Sequence, residues 1–96
     1  MMKVIQATFF IKAEKREAFL ADILPLVEAA RKEAGCIDYQ LYESFENKNQ
    51  FVMIEQWKNQ AAIESHNQQP LLQQLFQHMP DYAAQKTSIL TFDKEA

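Results

Sequence analysis

Apolar and polar residues alternate along some stretches of the chain and recur at steps of three and four along others, and each change of period marks an element. "KVIQATFFI", Lys3 to Ile11, is β-branched and aromatic and bounded by charge, which predicts a strand. Its two faces are Val4, Gln6, Thr8, Phe10 and Ile5, Ala7, Phe9, Ile11. From Glu14 to Ala34, Leu20, Ile23, Leu24, Val27 and then Ala30 or Arg31 fall at helical spacing. Pro25 has no amide donor and predicts a kink or two abutting pieces; Gly35 is expected to end this helix in a left-handed conformation.

"CIDYQLYESF" alternates Ile37, Tyr39 and Leu41 with Asp38, Gln40 and Tyr42, and "ENKN" at 46–49 is a turn cluster. "FVMIEQW" follows with Phe51, Met53, Glu55 and Trp57 on one face, so the two stretches predict a hairpin. Asn59 suits the N-cap of a helix over about Gln60 to Gln68, because its side-chain oxygen can accept a first-turn amide hydrogen bond. Pro70 suits the first turn of another helix, striped by Leu71, Leu72, Leu75, Phe76 and Met79 and expected to close at Pro80. "KTSILTF" then predicts a fourth strand.

The order β, α, β, β, α, β, with its second helical unit broken at Pro70, predicts an α+β, ferredoxin-like (split βαβ) fold with helices on one face of a four-stranded antiparallel sheet. The other face keeps apolar rows that helices cannot hide, so a symmetric homodimer is expected. With 96 residues there is room for one domain, 1–96. The ten Lys and Arg are scattered and the net charge is −3, which speaks against a nucleic-acid partner. Lys12, Glu14 and Lys15 cut the first apolar run too short to span a membrane and no leader pattern precedes it, so a cytoplasmic protein is expected.

The single cysteine, Cys36, excludes an intrachain disulfide and a CxxC pair. The single glycine excludes Walker-type and GxGxxG loops, which need several. His66 follows Ile63 by three and Ala62 by four, which turns it toward the apolar side of its helix, where a histidine serves either structure or proton transfer. Glu55 lies in an otherwise apolar strand and must be paired or raised in pKa; Lys12, Arg31 and Lys58 are candidate partners. Trp57, two residues on, is a core anchor or a ligand platform. His66 and His78 form no metal-binding spacing, and Ser44, Ser65 and Ser88 lack a nucleophile elbow.

"EAGCIDYQLYES", "FVMIEQWKNQAAIESHNQQP" and the strand order resemble the antibiotic biosynthesis monooxygenase domain family over essentially the whole chain, most closely its small quinol monooxygenase branch. That resemblance implies a dimeric α+β barrel that oxygenates an electron-rich aromatic substrate with O2 and no flavin, haem or metal cofactor. It implies His66 as base, Trp57 as a wall against the ring and Glu55 as an orienting group, with Asn59, Tyr39 and Phe9 as further pocket candidates. Leu71 stands where relatives often carry a second histidine. The family also includes an isomerase of a phosphorylated signalling molecule and haem-degrading enzymes. Gln6, Leu75 and Phe76 depart from the haem pattern. A non-catalytic dimer that binds an aromatic ligand is the remaining alternative.

Overall fold

A computed structural model describes residues 1–95. The chain runs β1 (Met2–Ile11), a 3-10 turn (Ala13–Lys15), α1 (Arg16–Arg31), β2 (Cys36–Glu43), β3 (Gln50–Trp57), α2 (Gln60–His66), α3 (Pro70–Tyr82) and β4 (Ala83–Lys94). The strands form one antiparallel sheet in the order β2-β3-β1-β4, the ferredoxin-like arrangement. No helix among the described residues is long and apolar enough to cross a membrane.

Between sheet and helices lies an apolar core. β1 contributes Ala7, Phe9 and Ile11, and β3 contributes Phe51, Met53 and Trp57, as the period of two requires. Phe19 of α1 is fully buried with its ring 5.4 Å from Phe9, 5.0 Å from Phe51 and 6.4 Å from Tyr82, so α1, α3 and both central strands meet on one side chain. On the other face Val4, Phe10, Val52 and Ile54 are half-buried, and Tyr42, Leu90 and Phe92 are exposed.

Both internal prolines are accommodated without ending a helix. Pro25 lies within α1 and Pro80 within α3, which continues to Tyr82, rather than breaking one and closing the other. Each is exposed, and the carbonyl deprived of its partner belongs to an exposed residue, Ala21 or Phe76, where water can satisfy it. β4 starts directly at Ala83, three residues before the expected strand, because Ala83 and Gln85 pair with Ile11 and Phe10 through an irregular register.

Two local expectations fail for tertiary reasons. Ile37 is exposed, not inward: Cys36 and Asp38 face consecutive partners Trp57 and Gln56, so Ile37 is the extra residue of a bulge. Gly35 is not left-handed; among the described residues the positive φ, 68°, belongs to Asn49 in the hairpin loop. What Gly35 provides is room, since a Cβ there would lie 2.3 Å from Cβ of Ala62 on α2. The amide of Lys58 donates to the Gly35 carbonyl at 2.9 Å and holds the same junction closed.

A Gly35→Ala substitution is therefore expected to destabilise the fold by about 1–3 kcal/mol, as overpacking does. Urea unfolding should show a lower midpoint, and adding Ala62→Gly should recover much of the loss. A stability equal to wild type in the single variant would remove the close approach as the reason for this glycine.

Candidate active site

Asn59 sets the start of α2 by accepting the Ala62 amide at 2.9 Å, and from that start the helical period turns Ile63 and His66 inward. His66 is buried, with its Nδ1 2.8 Å from Oε2 of Glu33 in the α1–β2 turn. A carboxylate oxygen only accepts, so Nδ1 carries the hydrogen and donates it to Glu33. Nε2 lies 3.4 Å from the Tyr39 hydroxyl and 3.8 Å from Oε1 of Glu55.

The aromatic neighbours hold this ring in place. Trp57 is fully buried at the end of β3, with its ring 4.5 Å from the imidazole at 34°, and Tyr39 stands edge-on to both. The Trp57 indole N–H donates to Glu55 Oε1 at 2.9 Å, joining two residues that the strand period puts on one face. Arg31 Nε donates to the Tyr39 carbonyl at 2.9 Å and fixes β2 at that residue. Glu55 thus takes its partners from Trp57 and the His66 neighbourhood; its expected cationic partners Lys12, Arg31 and Lys58 make no ion pair with it.

Burial pushes the Glu55 carboxyl up to about 7, helped by the charge of Glu33 and opposed by the Trp57 hydrogen bond. Burial, with Glu55 and Glu33 nearby, also raises the Tyr39 phenol, so it stays a protonated donor. Cys36, half-buried beside these acids, is pushed up to about 11, chiefly by burial, and stays a thiol.

His66 and the two residues beside its Nε2, Tyr39 and Glu55, line a cavity of about 110 Å³ together with apolar side chains including Phe9, Met53 and Leu75. Exposed Phe76 and Ile89 stand at its edge. The volume is below the ~150 Å³ of an apolar cavity that accommodates benzene, so a fused-ring ligand requires these edge residues to move. His66, Glu55, Tyr39 and Phe9 thus come together on one cavity. Trp57 lies behind His66 instead of on the wall, and Asn59 is exposed on a different hollow, formed with Glu33, Gly35, Lys58 and Ser65. His78 lies elsewhere on α3, bonded to Asp22 at 2.6 Å. Among the described residues no group of three or more His, Cys, Asp or Glu could hold a metal ion.

The model of the antibiotic biosynthesis monooxygenase family matches residues 2–78. The chain belongs to that family. Among curated relatives of this monooxygenase-family chain, YcnE of Bacillus subtilis, whose name carries a provisional monooxygenase assignment, is 45% identical over 67 residues, 70% of each protein. The crystal structure of an antibiotic biosynthesis monooxygenase superposes with a TM-score of 0.88 at 30% identity and covers 100% of both chains. Protein SO0527 from Shewanella oneidensis has the same TM-score and identity, with 95% of this chain and 88% of its own covered. The ferredoxin-like architecture of the family is thus shared throughout.

Glu33 has no role that its sequence surroundings announce. It lies 33 positions from His66, and its only local signal is its place in "EAGC".

A buried acid with a raised pKa is ionised more readily in the unfolded chain, so its folded-state stability is fully present below the unfolded value, 4.5, and is lost as pH rises to about 7. Replacing Glu55 with Gln should remove that slope, leaving the variant more stable relative to wild type at pH 8 than at pH 5 by on the order of 1–3 kcal/mol. Urea unfolding at the two pH values checks this. Glu43, held down at about 2 chiefly by Arg16, acts in the separate window below 4.5, where its stabilisation is lost as pH falls.

Proposed function

We propose that this protein is a cofactor-independent monooxygenase that oxidises a quinol or related electron-rich aromatic with O2, using His66 as general base. The observation that carries the reading is an imidazole bonded through Nδ1 to Glu33, with Nε2 beside the Tyr39 hydroxyl and Glu55, two residues that line an apolar cavity with it. A neutral base oriented by a carboxylate is the arrangement general-base catalysis needs.

A substrate hydroxyl placed between Tyr39 and His66 would give its proton to Nε2. The Tyr39 O–H would then donate to the developing phenolate, stabilising it where there is little water to do so. The deprotonated ring is a stronger reductant than the neutral quinol and passes an electron to O2; recombination of the two radicals forms the carbon–oxygen bond. Every electron comes from the substrate, so no step calls on flavin, haem or metal. Trp57 acts as a positioning residue, stacking against the imidazole and holding Glu55, while Phe9 packs against the substrate ring. Asn59 serves the site through the α2 cap that places His66.

The working unit we propose is a cytoplasmic homodimer. The rows Val4, Phe10, Val52, Ile54 and Leu90, Phe92 cover one sheet face with apolar surface suited to a second copy. A second reading, isomerisation of a small metabolite, is supported by Glu55: a carboxyl near neutrality opposite a histidine puts an acid and a base in one cavity.

Metal-free protein should accelerate O2 uptake with a reduced naphthoquinone, and His66→Ala should lower kcat by about 10²–10⁴-fold, the usual contribution of a general base. Full turnover in that variant would remove His66 from the mechanism, and turnover under strict anaerobiosis would favour the isomerase. Sedimentation should give twice the chain mass of 11.2 kDa, shifting to the monomer in Ile54→Lys.

A further inference from the structure

We propose that His66 and Glu33 form a two-residue proton path that joins the apolar cavity to a separate open hollow on the other side of α2. The inference rests on His66 being the base that deprotonates the substrate, and it adds where that proton goes.

The geometry consists of two spaces with one connection. Nε2 of His66 lies beside Tyr39 and Glu55, both of which line the cavity, and Nδ1 meets Glu33, which does not, at 2.8 Å. The His66 side chain is 3% exposed and that of Glu33 19%, so the bond runs from the interior toward water. Glu33 does not line the cavity. It lines a hollow of about 310 Å³ together with Gly35, Lys58, Asn59, Ala62 and Ser65, most of them exposed.

The cavity needs such an exit. A proton retained on His66 would leave a buried imidazolium beside the substrate anion, and the pair would recombine unless the charge moved away. Of the other polar groups on the cavity, Glu55 is buried, Tyr39 is a strongly held phenol and Asn67 is an amide that does not ionise. Glu33 alone combines contact with the imidazole and access to the second space.

The transfer balances without a further reagent. The substrate O–H bond breaks as Nε2 gains its proton, and the Nδ1–H bond breaks as Glu33 Oε2 gains that one. The ring stays neutral and Glu33 releases the proton to water. In the return direction the O–O bond of the carbon-bound peroxide breaks as the C–H electron pair at the same carbon becomes a carbonyl; the distal oxygen leaves as water with that C–H proton and the Nε2 proton, while Glu33, reprotonated from water, resupplies Nδ1. The starting tautomer is restored without turning a ring that Trp57 and Tyr39 hold on both sides.

Two measurements test the path. By nitrogen NMR of histidine-labelled protein, Glu33→Gln, which offers Nδ1 an acceptor that cannot carry a proton, should slow exchange of the His66 Nδ1 hydrogen with water by about tenfold or more. An unchanged exchange rate overturns the proposal whatever the protein's activity. With a reduced naphthoquinone, the same variant should lose about 10–10²-fold in kcat at unchanged KM. Formate should restore turnover to Glu33→Ala by entering the hollow, while His66→Ala should stay inactive. An active wild type with undiminished kcat in Glu33→Gln overturns the path and leaves the oxygenase standing. Slowed exchange in a protein with no quinol turnover supports the path and removes the oxygenase. Urea unfolding of Glu33→Gln confirms a folded sample, and Glu33→Asp, which keeps the carboxylate, should recover part of both effects; an Asp variant as impaired as Gln overturns the path.

Discussion

A missing methyl group at Gly35 sets how closely the α1–β2 turn approaches α2, and the site depends on that approach. With a side chain there the turn would meet Ala62, and Glu33, two residues earlier, would be carried away from His66. The Lys58 amide locks the junction from the end of β3, and Arg31 ties the end of α1 to the backbone of Tyr39. Three elements are thereby brought around one imidazole by contacts that are individually small.

Placing Glu33, Glu55, Tyr39 and His66 in or beside an apolar core is costly unless each finds a partner. Here they satisfy one another: among the described residues no buried side-chain nitrogen or oxygen lacks a hydrogen bond. The partners are shared, so the network specifies orientation more strongly than any single bond would. Trp57 shows this economy: its ring supports His66 while its N–H holds Glu55, and one rigid side chain fixes the positions of two titratable groups.

Features encoded over a few residues are legible in the sequence. The period of two in "FVMIEQW" placed Glu55 and Trp57 on the buried face, and the helical step from Ile63 turned His66 inward. Features that arise between distant segments are not. No local pattern connects Glu33 to His66, and Gly35 invites a left-handed reading until Ala62 is seen against it. Ile37 alternates correctly by residue type, yet a bulge displaces it. Pro25 and Pro80 signal breaks, but each leaves its orphan carbonyl on the water side, where the penalty is small. The Asn59 cap was visible; that its side chain belongs to the far side of α2, away from the cavity, was not.

The fourth strand links the cavity to the outer surface. Its pleat sends Ile89 to the cavity and Leu90 and Phe92, on the alternate face, to the apolar outer side of the sheet. One backbone therefore carries both surfaces, and its neighbour on one side only is β1. A displacement of this edge strand would therefore move the cavity lining at Ile89 and the outer apolar row at Leu90 and Phe92 together, because a single backbone joins them.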